Sequence, residues 1–430
     1  MTLKLGRILF LVLLVSVALR LALAVYYGDW VPPEHDDESY SALGERLSAG
    51  QGYSFESNWY PFTRPDHPTA FWSFAYPLFL GTFYRILGYQ PLWPRLAQAI
   101  LGGTLLPLMA LRLSDRVFPR RNALGILVAG CVAFYAFFIL YAARLLTETF
   151  YIIALLWSLE RAIALTEGPS RGRAITLGLS LGLAALFRQS ILPWVPVLFL
   201  WLLWKGWREG WLARAFRLLI LAGLALFACI LPFTIRNYAA YGQFLLLNSN
   251  TGYAMYSAQH PMHGISFIEH GAAPLPEDLV GQDLNEAQWD RLLMRRGIQL
   301  VLDDPGRYLL LSLSRVLDFF EFWPTDTSLL HNVGRLSSFT LFLPFFIYGI
   351  VLALRGAGPL RSGADWLRFS ATPVAMILCF MAFYALLHIL TWAMPRYRLP
   401  VDAVAMPFAA LALSDLWSRL QRWRRRPAVA

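Results

Sequence analysis

The sequence predicts an all-α polytopic membrane protein, with about ten transmembrane helices and further helices lying at the membrane surface. Three observations predict it. Of 430 residues, 57% are hydrophobic and only 15% charged, a balance that soluble domains seldom show. Apolar runs close to the ~20 residues needed to cross a bilayer recur along the whole chain. The basic residues between those runs crowd into every second connection, as the positive-inside rule expects. There is no internal repeat, low-complexity tract or separable soluble stretch, so residues 1–430 read as one domain.

The first run, residues 8–28, follows Lys4 and Arg7 and has no small-residue cleavage site after it, so an uncleaved first span is expected. Residues 29–91 then form a first outer loop, opening on His35-Asp36-Asp37-Glu38-Ser39-Tyr40. Within that loop, residues 71–88 are apolar, but counting them as a crossing would invert every later loop. They are expected to form a helix at the outer interface. Spans follow near 92–111, 123–143, 146–165, 174–188, 191–205 and 214–235. Residues 237–336 form a second, large outer loop, polar and acid-containing, expected on the acceptor side. Its stretch 285–302 has a helical pattern that Asp304-Pro305 ends, and 309–323 reads as an amphipathic interfacial helix. Spans near 337–354, 369–390 and 402–418 complete the chain.

With ten spans and both termini in the cytoplasm, one face collects the basic loops. These carry Arg112, Arg116, Arg120 and Arg121; Arg171 and Arg173; Lys205, Arg208 and Arg214; and Arg355, Arg361 and Arg368. The tail adds Arg419, Arg422, Arg424, Arg425 and Arg426. The net charge of +10 therefore belongs to membrane topology and membrane lipids, not to a nucleic-acid partner. Cys131, Cys229 and Cys379 all lie in apolar runs, with neither a disulfide framework nor zinc-ligand spacing.

A second group of arginines defies the bias. Arg144, Arg188 and Arg236 sit at the outer ends of the third, fifth and seventh spans, and Arg396 and Arg398 follow the ninth. A lone arginine at a helix end snorkels to headgroups. Guanidinium at four separate helix ends favours an anionic ligand, because its fork binds phosphate bidentately and stays charged when partly buried. Glu148 opens the fourth span and faces either a helix dipole or the same cavity. Arg20, well inside the first span, needs a partner.

Carboxylates and arginines on an outer face suit chemistry with a phosphate leaving group. Nucleotide sugars and ATP are absent outside the cytoplasmic membrane, and the chain has no phosphate-cradling G-x-x-x-x-G-K-[ST] motif. A polyprenyl-phosphate-linked sugar donor fits: its tail lies in the bilayer and its phosphate meets the arginines. A carboxylate would take the proton of an acceptor hydroxyl, and arginine would stabilise the departing charge. No cofactor is required. A divalent metal has one candidate set in His35, Asp36, Asp37 and His67, and a weaker one in His260 and His263.

At this point the residues resemble a known family. Asp36-Asp37-x-x-Tyr40, then Ala42, Leu47, Gly50 and Gly52-Tyr53, is similar to the first outer loop of family 39 glycosyltransferases. These type-C membrane enzymes include protein O-mannosyltransferases and bacterial aminoarabinose transferases. Pro68-Thr69-Ala70, Tyr76-Pro77-Leu78-Phe79-Leu80 and Leu87-Gly88 continue the likeness. So do Leu146-Thr147-Glu148-Thr149, Gly182-Leu183-Ala184-Ala185-Leu186-x-Arg188, Thr234-Ile235-Arg236-Asn237-Tyr238 and Arg396-Tyr397-Arg398-x-Pro400. The resemblance implies a type-C glycosyltransferase fold and an inverting transferase using a polyprenyl-phosphate donor. Its catalytic base is implied at Asp36, with Asp37 second. Aminoarabinose transferases carry a lysine near the donor phosphate in this loop; this loop has none, leaving Arg64 or His67 as substitutes.

The expected function is thus transfer of a sugar from a polyprenyl-phosphate donor to a hydroxyl on a glycan, lipid or protein acceptor. It would act on the outer face of the cytoplasmic membrane. Asp36 and Asp37 are the expected catalytic acids; Arg64, Arg144, Arg188, Arg236, Arg396 and Arg398 the phosphate ligands; and Tyr40, His67, Glu148 and Asn237 the cavity lining. Two other classes compete. A lipid-linked oligosaccharide polymerase or ligase would share the outward arginines. A transporter of anionic lipids would show repeated halves and helices broken at mid-membrane, neither of which the pattern contains.

Overall fold

A computed structural model describes residues 3–119, 122–268, 271–326, 328–358 and 360–424. Arg120, Arg121, Arg425 and Arg426, placed above in cytoplasmic segments, lie outside the described residues. Eighteen α-helices follow in order. They are α1 (Leu3–Tyr27), α2 (Asp36–Ser48), α3 (Ala75–Leu87), α4 (Leu92–Val117), α5 (Asn122–Phe134) and α6 (Ala136–Ala143). Next come α7 (Glu148–Glu167), α8 (Arg171–Phe187), α9 (Trp194–Arg208), α10 (Leu212–Tyr241), α11 (Thr251–Gln259) and α12 (Glu286–Asp303). The last are α13 (Pro305–Phe319), α14 (Leu329–Arg335), α15 (Leu341–Gly356), α16 (Gly363–Ser370), α17 (Pro373–Leu390) and α18 (Leu399–Arg424). Among the described residues, β pairing is limited to isolated bridges within the first loop, such as Ser54 with Pro68.

Each of the ten expected runs carries a helix. Eight helical segments are long and apolar enough to cross a bilayer, and α5 with α6 makes a ninth as a pair bent by 57°. The tenth run is α8, of 17 residues. The segment expected at the interface is α3, whose 13 residues reach only about 20 Å at ~1.5 Å per residue, short of the ~30 Å hydrocarbon core. In the second loop, α12 starts from a capping box between Asn285 and Gln288. The Asp304 side chain accepts from Arg307 N at 2.9 Å, and Pro305 begins α13. Leu309, Leu310, Leu313 and Leu317 leave one face of α13 exposed and apolar, while Arg315 on the other face is fully buried.

Contacts between loops sort the helix ends into two sets. At one end Arg116 pairs with Glu160 (3.0 Å) and Glu167, Arg214 donates to Pro169 O (2.5 Å), and Lys205 donates to Ala371 O (3.2 Å). These are four of the basic connections that charge counting placed on one face. The opposite end gathers the acidic cluster and the exceptional arginines. The helices therefore alternate in direction as parity requires. Their packing relies on close approach: α8 carries Gly178-x-x-x-Gly182, and a Cβ at Gly178 would stand 2.1 Å from Ala222 O of α10.

The break between α5 and α6 departs from the continuous span expected over 123–143. No proline or glycine stands at it; Tyr135 is extended, with φ −71° and ψ 109°. Distant side chains take up the backbone groups that the break frees. Arg20 donates to Val132 O and Ala133 O, each at 3.2 Å, and to Ser16 Oγ at 2.7 Å. Ser338 Oγ accepts from Phe137 N at 2.9 Å. Tyr135 OH donates to Asp402 Oδ2 at 2.6 Å. Arg20 thus has its partners in the carbonyls of a broken helix, the condition under which a membrane span tolerates a break. Replacing Arg20 by Met should lower the melting temperature in detergent, since each carbonyl left unpaired in an apolar interior costs about 1–3 kcal/mol. A variant melting with the parent would remove Arg20 from this role.

Candidate active site

Helix α2 begins at Asp36, so three carboxylates fall in its first turn, where the helix dipole favours them. They have three different fates. Glu38 Oε2 accepts from the backbone N of Glu34 at 2.6 Å and fastens the turn before the helix, where Glu34 has φ +59°. Asp37 is fully buried: Arg144 Nε and Nη2 each meet one of its oxygens at 2.7 Å, and Leu145 N donates to Oδ1 at 3.1 Å. Asp36 differs. Its Oδ2 accepts from Arg396 Nη2 at 2.5 Å, and Oδ1 has no hydrogen-bond partner among the described residues. The Asp36 side chain remains 40% exposed. Burial works to raise its pKa, but the Arg396 guanidinium, helped by Arg188, outweighs burial and holds the carboxyl below its ordinary range.

A second ion pair stands beside the first. Arg188 Nη1 donates to Glu148 Oε1 at 2.7 Å, and its guanidinium lies over the Tyr397 ring, 4.8 Å from the centroid. Arg396 lies over the same ring at 5.2 Å, and His388 stacks on it at 4.8 Å. Tyr397 is therefore a platform that collects both arginines and the histidine. Tyr40 on α2 is nearly buried against Tyr76, and burial first, then the Asp36 charge, pushes its phenol above the ordinary value. Both arginines keep N–H groups in reserve. Arg188 Nε and Nη2, and Arg396 Nη1 and Nε, have no hydrogen-bond partner among the described residues.

The structure brings together Asp36, Asp37, Tyr40, Arg144, Glu148, Arg188 and Arg396. The other expected site residues sit elsewhere. Arg64 pairs with Asp283 at 2.5 Å on the surface and links the two outer loops. His67 is exposed, with Nδ1 2.7 Å from Pro65 O. Arg236 donates to Thr69 O at 2.7 Å and Tyr53 O at 3.1 Å, and Asn237 donates to Leu247 O at 2.7 Å, so both fix loop backbone. Arg398 is fully buried, paired with Asp402 at 3.2 Å and donating to Phe319 O at 2.7 Å. No group of three metal-ligating side chains is assembled among the described residues. The oxygens of Asp37 are taken by Arg144, and His263 uses both ring nitrogens on backbone, Ser257 O at 2.9 Å and Ile268 N at 3.2 Å.

Three residues that hold the site went unnoticed in the sequence. Arg95 and Gln98, one turn apart on α4, cap the last carbonyls of α6. Gln98 Nε2 donates to Tyr141 O, Ala142 O and Arg144 O at 3.2, 3.1 and 2.7 Å, and Arg95 Nε to Ala143 O at 3.1 Å. Arg95 also holds Gly28 O (2.5 Å) and Trp30 O (2.7 Å), just past α1. Their i, i+3 spacing at the outer start of an apolar run was the available signal. The third is Glu286, a buried carboxylate that accepts from Thr63 Oγ1 (2.9 Å), Ala70 N (2.7 Å) and Ser249 Oγ (2.7 Å). It joins the two outer loops into one cap. A cavity of about 730 Å³ lies at the opposite end of the bundle, beside Arg116, Lys205 and Asp415, and shares no residue with this site.

Alternating apolar helices, two long loops packed as one cap and an acidic helix start beside them make up a fold that solved structures identify as the type-C glycosyltransferase fold. The chain matches the archaeal oligosaccharyltransferase AglB from Archaeoglobus fulgidus, in complex with an inhibitory peptide and a dolichol-phosphate, with TM-score 0.61 and 15% identity. The match covers 98% of this chain and 51% of that one. It also matches ArnT from Cupriavidus metallidurans bound to undecaprenyl phosphate, with TM-score 0.54 and 14% identity, over 96% of this chain and 62% of that one. The chain thus spans about half the length of the oligosaccharyltransferase. At such identities the likeness is one of fold. No protein-family model and no curated sequence matches the chain.

The two adjacent aspartates should separate by stability. Asp37→Asn leaves Arg144 buried without its counter-charge and should cost about 3–5 kcal/mol, as breaking a buried pair does. Asp36→Asn should leave the melting temperature nearly unchanged. Equal melting of the two variants would contradict this division of roles.

Proposed function

We propose that the chain is an inverting glycosyltransferase. It moves a sugar from a polyprenyl-phosphate donor to a hydroxyl acceptor on the outer face of the cytoplasmic membrane. The observation that carries this reading is the state of Asp36: ionised beside Arg396, half open, with one oxygen uncommitted. That oxygen takes the acceptor proton as the hydroxyl oxygen attacks the anomeric carbon. The bond from that carbon to the phosphate oxygen breaks, and the phosphate leaves with the electron pair. A phosphate needs no general acid to depart. The reserve N–H groups of Arg188 and Arg396 stabilise the charge that accumulates on it. The bound dolichol-phosphate and undecaprenyl phosphate of the structural neighbours support the choice of donor class. Attack from the face opposite the leaving phosphate inverts the anomeric centre.

The second loop, tied to the first through Glu286, is assigned to the acceptor. Asp37 and Arg144 are assigned to positioning: they fix the start of α2 against the end of α6 and so fix where Asp36 stands. Arg64, Arg236 and Arg398 are assigned to holding loops and helices rather than to the donor.

Asp36→Asn should abolish transfer from a polyprenyl-phosphate sugar while polyprenyl phosphate still binds, measured with purified protein in nanodiscs. Full transfer by this variant would overturn the assignment. The pH profile of kcat/KM gives a second test. Asp36 must be ionised, and its folded pKa is lowered, so the acidic limb should lie below the ordinary aspartate value of ~3.9. Arg396→Gln removes the largest lowering influence and leaves burial, which raises the pKa, opposed by Arg188 and His35, so the limb should move to higher pH. A limb that stays in place would separate Arg396 from Asp36 in function.

A further inference from the structure

Three buried polar atoms around the Tyr397 platform lack hydrogen-bond partners: Glu148 Oε2, Arg396 Nε and His388 Nε2. Glu148 is 2% exposed and His388 8% exposed, so solvent does not serve them well. Buried polar atoms are otherwise almost always paired, because an unpaired one forfeits its hydration without compensation. Three within one small shell mark a place for a ligand.

Their chemistry is specific. Glu148 Oε1 is taken by Arg188, so Oε2 is left as an acceptor that no donor faces. His388 Nδ1 lies 3.3 Å from Trp392 O and so carries the hydrogen, which makes Nε2 of the neutral ring an acceptor as well. Arg396 Nε is a donor. A phosphate complements the arginine but not the two acceptors, because it brings only further acceptors and negative charge. The group that faces Glu148 Oε2 must itself donate.

We propose that Glu148, with His388 beside it, reads the sugar of the donor rather than its phosphate. The sugar it takes presents a hydroxyl or ammonium group to Glu148 Oε2, and acidic sugars are excluded. This rests on the transferase reading above. A uronic acid carboxylate placed against Glu148 sets two like charges together away from water, which disfavours it. A hydroxyl there removes an unpaired acceptor. The Glu148–Arg188 pair therefore does two things: its arginine side serves the phosphate, and its carboxylate side sorts the sugar.

The test is direct binding to the purified full chain in nanodiscs. The probes are undecaprenyl phosphate, an undecaprenyl-phosphate hexose and the matching undecaprenyl-phosphate hexuronate. The parent should prefer the hexose probe over the hexuronate by about tenfold or more, as a like-charge clash predicts. Glu148→Gln should lose most of that preference, read as the ratio of hexose to hexuronate affinity within the variant, so that any change in its overall affinity through Arg188 cancels. Equal binding of hexose and hexuronate by the parent overturns the proposal, as does undiminished preference in the variant. Loss of undecaprenyl phosphate binding in the variant would make Glu148 a support for Arg188 only, which also overturns it. If the parent binds none of the probes, the transferase reading falls, and this proposal with it.

Discussion

The buried pair between Asp37 and Arg144 is the constraint on which the outer end of the bundle depends. It uses both carboxylate oxygens, two guanidinium nitrogens and the backbone N of Leu145. Such a pair adds little net stability over an apolar substitute, but it tolerates few alternative geometries. It joins the first turn of α2 to the end of α6. Arg95 and Gln98 close the same joint from α4 by capping the α6 carbonyls. The backbone atoms that carry Asp36 are therefore located by four segments at once, while the Asp36 side chain stays half open. Rigidity beneath and freedom at the tip are what a group that must accept a proton requires.

Electrostatics around the site follow one rule. The carboxylates at this end of the bundle divide by how fully their oxygens are satisfied. Asp36 and Glu148 each keep one oxygen without a donor, and Arg188 and Arg396 keep N–H groups uncommitted. By contrast Asp37 is saturated, and Glu286 is saturated with neutral donors alone. Saturation separates the parts that hold the frame from the parts able to meet a ligand. It also explains why guanidinium at a helix end is an ambiguous sign. Arg236 spends its hydrogen bonds on Thr69 O and Tyr53 O, while Arg188 on an equivalent helix end does not.

Much of the fold was legible in the sequence because membrane insertion imposes few solutions. Apolar length located the spans, and the alternating arginines predicted that their ends sort into two sets, as the contacts between loops show. The short apolar helix at 75–87 was recognisable only because counting it as a crossing would have broken that alternation. The site was legible in part. Asp36, Asp37, Arg144, Glu148, Arg188 and Arg396 stood out because charge is scarce in such a chain, and they do come together. What sequence could not rank was which arginine keeps free donors, since that depends on which carbonyls and carboxylates the fold brings beside each one, such as Thr69 O and Tyr53 O beside Arg236. Arg64 and Arg398 have the same chemistry as Arg396 but meet Asp283 and Asp402 first. Glu286 was lost among the other acids of its loop, because its partners are neutral hydroxyls and a backbone amide.

The broken helix α5–α6 bears on the order in which the protein can be assembled. During synthesis Arg20 enters the membrane before the break is made, so the carbonyls of Val132 and Ala133 find their donor at once. The amide of Phe137 and the hydroxyl of Tyr135 do not, because Ser338 and Asp402 are translated 201 and 267 residues later. The Phe137 amide waits for the segment that leads into α15, and the Tyr135 hydroxyl waits longer, for α18. α18 thus supplies the partner that the Tyr135 hydroxyl at the break meets in the finished bundle.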